Sequence, residues 1–246
     1  MSPADAIPLD DAALLSAWER TLAVARPWRE VALLAAASGE PADGLARLPV
    51  GERDRRLLAV REQAFGSRLE CETACPACGA RLELELEAAE IRLPSRDAEP
   101  SDYRMVEGGT VVTFRLPDSV DVAACVDRAS DPEDVLLARC VVAATHHGAP
   151  VDGAALPPGV RERLAERMAE LDPQADLLLN LTCPDCARTW QAAFDPAGFL
   201  LAEIDAWASR ILGEVDRLAR AYGWSEAEIL ALSPLRRRRY LELAGA

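Results

Sequence analysis

No run of apolar residues in the chain approaches the roughly 20 that a membrane-spanning helix requires, so no such helix is expected. Low-complexity tracts and internal repeats are missing too, apart from one cysteine motif that occurs twice. The residues are 50% apolar and 28% charged, which excludes wholesale disorder and matches ordinary globular usage. Met1 to Asp11 contain three acids and no base; they resemble neither a secretory nor a transit signal, and a cytoplasmic protein is expected. Lysine is absent altogether, all 27 basic residues being arginine, a bias of the kind that genome composition imposes. Against 41 acids they leave a net charge of −14, and an acidic surface repels phosphate backbones at long range, so nucleic-acid binding starts at a disadvantage. There is no zinc-protease helix, nucleophile elbow or glycine-rich phosphate loop, hence no positive sign of an enzyme.

What the chain does have is length for a packed core, 246 residues that suit one large domain or two small ones, and seven cysteines. These are Cys71, Cys75, Cys78, Cys125, Cys140, Cys183 and Cys186. An odd number in a chain without an export signal argues against a disulfide framework and for metal binding.

Five segments follow from the patterning. Residues 1–66 read as an N-terminal helical segment. Leu14, Leu15, Trp18 and Leu22 make one stripe, Val31 to Ala37 a second short helix after Pro27, and Arg53 to Phe65 a third, stopped by Gly66; Ser38 to Pro49 read as a loop. Residues 67–92 switch to a period of two, with Leu69 and Cys71 before a Cys75-Pro-Ala-Cys78-Gly79 tip and Leu82, Leu84 and Leu86 after it, a β-hairpin. Residues 93–174 are a mixed insert with a strand at Thr110 to Arg115, a helix capped by Asp131-Pro132 and running towards Ala144, and a helix from Pro158 to Leu171. Residues 175–194 form a second hairpin, Leu177, Leu179 and Leu181 leading to Cys183-Pro-Asp-Cys186, with Trp190 and Phe194 in the strand after it. Residues 195–246 are helical. Asp195-Pro196 caps a long helix whose stripe is Leu200, Ile204, Trp207, Ile211, Val215, Leu218 and Tyr222, and Gly223 ends it. Ser225 to Glu228 is a capping box for a short helix, and Ser233-Pro234 starts another carrying Arg236 to Arg239. The fold class is thus α+β and mostly helical.

Zinc prefers four soft ligands in a tetrahedron, and a Cys-x-x-Cys turn at a hairpin tip presents two thiolates to one metal. Cys75, Cys78, Cys183 and Cys186 therefore read as one structural Zn²⁺ site, a zinc ribbon clasping two hairpins separated by residues 79–182. The bland reading is buried or unrelated thiols. Redox chemistry is a sharper rival, but in thiol oxidoreductases the first cysteine caps a helix, whereas a strand is expected after both pairs here. Four cysteines close the tetrahedron and leave no catalytic position. Gly79 follows the first pair but Ala187 and Arg188 follow the second, and a positive φ at either costs about 1 kcal/mol. Cys71 reads as apolar filler, Cys125 and Cys140 as core thiols, and His146 and His147 as loop residues. The arginine run could belong to a helix-turn-helix, against which stands a solvated face near a C-terminus, flanked by Glu226, Glu228 and Glu242.

Several stretches together resemble a known family: Leu-Pro-Val-Gly-Glu-Arg-Asp-Arg-Arg-Leu-Leu (48–58), Phe-Gly (65–66), Cys-Pro-Ala-Cys-Gly (75–79), Phe-Arg-Leu-Pro (114–117), Asp-Pro-Gln-Ala-Asp (172–176) and Cys-Pro-Asp-Cys (183–186). Trp190, Phe194-Asp195, Phe199-Leu200, Glu203-Ile204, Trp207-Ala208, the stretch from Ala221 to Glu226 and that from Ile229 to Pro234 continue it. The chain is similar, over about residues 45–243, to the baseplate assembly proteins of contractile phage tails and phage-tail-like injection systems. That resemblance implies a non-enzymatic assembly or structural role. The implied partners are other baseplate and tail proteins, with no nucleic acid, membrane or small-molecule substrate, and the protein is placed at the cytoplasmic assembly site or in the particle. Trp207, Tyr222 and Trp224 are candidate partner-binding residues, of the kind enriched in interface hot spots, although core packing gives the same spacing. The rival readings are a zinc-ribbon nucleic-acid-binding regulatory factor and a thiol oxidoreductase.

Overall fold

Helix starts and stops fall where side chains can satisfy the free backbone groups at helix ends. In the computed structural model, which describes residues 10–94, 102–126 and 131–245, Asp10 accepts the amide of Ala13 and opens α1 (Asp11–Leu22). Then come α2 (Trp28–Ser38), ended by Gly39 at φ 71°, a single turn α3 (Ala42–Leu45), and α4 (Val50–Phe65), ended by Gly66 at φ 91°. The first hairpin is β1 (Arg68–Ala74) and β2 (Arg81–Glu87), followed by a turn α5 (Ala88–Ile91). The central segment holds β3 (Tyr103–Glu107), β4 (Thr110–Phe114), α6 (Ser119–Val126), α7 (Pro132–Cys140), β5 (Val141–His146), β6 (Ala149–Pro150) and α8 (Pro158–Leu171). The second hairpin is β7 (Leu177–Thr182) and β8 (Thr189–Phe194); α9 (Pro196–Tyr222), α10 (Glu226–Leu230) and α11 (Pro234–Ala244) complete the chain.

The result is mixed α+β, mostly helical, with three small antiparallel sheets: β1-β2, β3-β4-β5-β6 and β7-β8. Its largest core unites the two ends of the sequence. Leu14, Leu15, Leu33, Leu34 and Leu57 from α1, α2 and α4 pack on Leu200, Ile204, Trp207 and Ile211 of α9. Each fully buried side chain of that size contributes about 1.5–3 kcal/mol, so α9 is part of the foundation. A second core lies between the four-stranded sheet and α7 and α8, around Val112, Phe114, Cys140 and Leu164.

Some expectations are corrected. Leu22, at the end of its stripe, is 56% exposed because α1 stops there. Residues 38–49 include α3. The helix after Asp131 ends at Cys140 and not Ala144: Val141–His146 pair with β4 instead, and β-branched residues favour that pleated setting. Asp131 sits at φ 42° and its side chain caps nothing. Residues 1–9, the part of the N-terminus read for a targeting signal, lie outside the described residues.

Three of the stretches quoted above converge at the start of α4. The Val50 amide donates to the Pro117 carbonyl at 2.9 Å, the Ser119 amide to the Ala46 carbonyl at 3.2 Å, and the Gly51 amide to an Asp172 carboxylate oxygen at 2.8 Å. Asp172 thereby places a negative charge on the positive end of α4. Gln174 beside it accepts from the Leu93 amide and donates to the Ile91 carbonyl, tying the end of the first hairpin to the same point. Only glycine fits at position 51, since a Cβ there would lie 1.8 Å from Asp172 Oδ1 and 2.9 Å from the Ala175 amide nitrogen. Gly51→Ala should therefore lower stability by about 1–3 kcal/mol, read as a shift of the denaturant midpoint; measured in an Asp172→Ala background the loss should shrink but not vanish, because the carboxylate clash is gone while the Ala175 backbone contact stays.

Candidate metal centre

Both hairpins alternate an exposed face with a buried or half-buried one, and each presents its cysteines at the tip. In the first, the Cys75 amide donates to the Ala80 carbonyl at 2.8 Å and the Gly79 amide to the Cys75 carbonyl at 2.9 Å. In the second, the Cys183 amide donates to Arg188 at 2.9 Å and the Ala187 amide to Cys183 at 3.0 Å. The two turns are thus built alike, and both need a left-handed residue after the second cysteine: Gly79 has φ 75° and Ala187 φ 57°. The second knuckle adopts the strained turn even though it lacks the glycine.

Leu69, Leu86, Leu177, Leu179, Phe194 and Phe199 share an apolar cluster that brings the hairpins side by side. At the tips, Cys75 Sγ lies 3.7 Å from Cys186 Sγ and Cys78 Sγ 3.6 Å from Cys183 Sγ. All four sulfurs fall within 4.8 Å of one another. None is in a disulfide. For metal–sulfur bonds of about 2.3 Å a regular tetrahedron has edges of about 3.8 Å, so the spacing fits four thiolates around one ion. Cys75 and Cys183 are buried against Ala80, Leu82, Leu84 and Trp190, while Cys78 and Cys186 face solvent. Among the described residues no other such group of cysteine, histidine or acidic side chains occurs.

The protonation pattern follows from crowding. The amide of Cys78 draws the Cys75 thiol down to about 7. The amide of Ala80 pulls Cys78 down as well, but contacts with Cys183 and Cys186 outweigh it and push that thiol up to about 12. Four sulfurs this close cannot all ionise unless a cation neutralises them. In thiol oxidoreductases the reactive cysteine is an accessible thiolate, often at a helix N-terminus. Here the lowered thiol is the buried one, the exposed Cys78 is raised, and strands β2 and β8 follow both pairs.

A family model described as T4 bacteriophage base plate protein matches residues 33–200, more than two thirds of the chain and inclusive of all four thiols. This chain belongs to that baseplate family. Neither a search of curated proteins nor one of solved structures gives a match. The matched span of this baseplate protein contains the junction at the start of α4 and stops at Leu200, so most of α9, α10 and α11 lies beyond it.

The other candidates divide. Trp207 is 7% exposed and sits in the core between α9 and the N-terminal helices, so as a docking residue it is corrected: the stripe faces inward there. Tyr222 and Trp224 lie at the end of α9, stacked at 4.6 Å, and both meet Tyr240 of α11 edge-on. Sequence reasoning missed Tyr240, whose only signal is its place directly after the arginine run. Within that run Arg237 is buried, paired with Asp11 and Glu214 at 2.7 Å each, so the run is not a uniformly solvated face. Cys140 is fully buried and burial pushes its thiol up to about 12. Cys71 is half-buried, and burial raises its thiol. Cys125, expected in the core, is only half-buried on α6. His147 is in a turn at φ 49°, but His146 ends β5 and shares a 2.8 Å hydrogen bond with the Thr110 hydroxyl, a correction to a pure loop reading.

The turn strain makes a sharp test. Ala187→Gly should stabilise this baseplate protein by about 0.4–1 kcal/mol, as glycine adopts φ 57° without a Cβ penalty, and leave its metal content unchanged; Gly79→Ala should cost about 1 kcal/mol. Thermal denaturation of both variants with elemental analysis checks the pair of signs.

Proposed function

We propose that this baseplate protein is a non-enzymatic assembly or structural component of a contractile phage-tail-like injection particle, held in shape by one Zn²⁺ on Cys75, Cys78, Cys183 and Cys186. The observation that carries the reading is the family match across both cysteine pairs. Energetics favour the clasp. Closing the loop of residues 79–182 costs about 4 kcal/mol, whereas structural zinc in four-ligand sites binds with about 10–16 kcal/mol. Zinc here would be a closed structural ion, leaving no open position for substrate. The partners are other baseplate and tail proteins, met at the cytoplasmic assembly site, and the protein is carried into the particle.

Tyr222 and Trp224 are the side chains proposed to meet a partner, with Tyr240 fixing them. Removal of everything after Phe194 is a poor test, since it also strips Leu200, Ile204 and Ile211 from the main core; Trp224→Ala is the better variant.

Deletion of the protein should leave the other particle proteins expressed but prevent complete sheathed particles, as judged by electron microscopy. Normal numbers of full-length particles would refute the assembly role. Complementation with Cys183→Ser should fail to restore particles, because a lost ligand destabilises the clasp by several kcal/mol.

A further inference from the structure

The chain carries two exposed faces of opposite charge that it cannot satisfy itself. On the outer face of the first hairpin, Glu70 stands directly across from Glu85, and Glu72 from Glu83, with Glu87 beyond them. All five are exposed. Like charges facing each other across a strand pair are destabilising, and only Arg68 and Arg81 share this face, pairing with Glu70, Glu85 and Glu72. Glu83 and Glu87 make no salt bridge among the described residues, although Arg68 stands across the strand pair from Glu87.

The opposite case is α11. Its inner side is fixed by Arg237 and the aromatic cluster. Its outer side presents Leu235 and Leu243, each 68% exposed, eight residues apart and so on one face. Arg236, Arg238 and Arg239 flank them. Arg239 pairs with Glu242, while the side chains of Arg236 and Arg238 make no ion pair among the described residues. In a chain of net charge −14, where most arginines are spent on internal carboxylates, an apolar and cationic helix face stands out.

Among the described residues no ion pair joins the two faces. Leu69 and Leu86 of the first hairpin share a cluster with Phe199 near the start of α9, whereas α11 packs against α9 at Glu214. At 1.5 Å per residue those two points are roughly 22 Å apart along the helix, so the hairpin and α11 engage different ends of α9.

We propose that α11 of one copy docks on the acidic face of the first hairpin of a second copy, in a head-to-tail association. The arginines answer the facing glutamates, and Leu235 and Leu243 supply the apolar seam of a helix laid on a surface. Passed from copy to copy the contact is heterologous and builds a ring or a short filament; exchanged reciprocally by two copies it closes a two-fold dimer. The proposal rests on the charge faces and is independent of the baseplate reading.

The test uses the full chain in sedimentation velocity at low and high salt. Wild type should sediment above its 26.5 kDa monomer mass at low salt, with association weakened about tenfold or more when salt is raised. R236E/R238E should be monomeric, and so should E70R/E83R, in which each new arginine faces a carboxylate and favours the hairpin. A mixture of the two should regain salt-sensitive association that neither shows alone, since the α11 of each variant is then opposite in charge to the hairpin of the other; misfolded variants could not do this. A wild type that stays monomeric, or association unchanged by either reversal, overturns the proposal. So does binding of a labelled DNA duplex that R236E/R238E abolishes while the protein remains monomeric.

Discussion

Four thiols drawn to within 4.8 Å of one another are the constraint around which this molecule is arranged. Their spacing matches the tetrahedron a soft divalent ion prefers, and a bound cation would relieve their mutual repulsion as thiolates. Each pair is made locally, by a tight turn whose hydrogen bonds need no partner from elsewhere. The long-range consequence comes from what the hairpins are attached to. The first follows α4 after Gly66, and the second runs through Asp195 into α9, so whatever fixes the tips also fixes those helices.

The helices are then locked by charge as well as by apolar packing. Arg61 near the end of α4 is buried, pairs with Glu203 of α9 at 2.8 Å, and donates to the Gly66 carbonyl at 2.6 Å. Arg26 reaches Asp195, which also caps α9 through the Gly198 amide; Arg26 and that amide hold the Asp195 carboxyl below its usual range despite burial. Arg237 closes the far end on Asp11 and Glu214. Arg61 and Arg237 are buried, and removing their carboxylates would leave a stranded charge, which costs about 3–5 kcal/mol; Arg26–Asp195 is about half exposed and contributes far less. These arginines therefore specify which helix lies against which, more than they add stability over an apolar core.

Much of this was legible where local chemistry decides. Asp195-Pro196 and Gly223 bracketed α9, Ser225 and Glu228 form the capping box read for α10, and the repeated Cys-x-x-Cys tips announced the hairpins. The stripe from Leu200 to Leu218 faces inward as its spacing requires. Where tertiary pairing decides, the sequence was ambiguous. Val141 to Ala144 is a short apolar run that periodicity cannot assign, and its pairing with β4 makes it a strand. Arg237 looks like its neighbours until α11 docks on α9. Nothing local told that Asp172 would cap α4, although both stretches had been singled out for resemblance to the same family.

The most direct measurement is zinc-edge X-ray absorption on protein purified natively under reducing conditions. The account predicts one zinc per chain with four sulfur neighbours at about 2.3 Å. A protein without zinc, or a zinc with nitrogen or oxygen neighbours in place of sulfur, would contradict it.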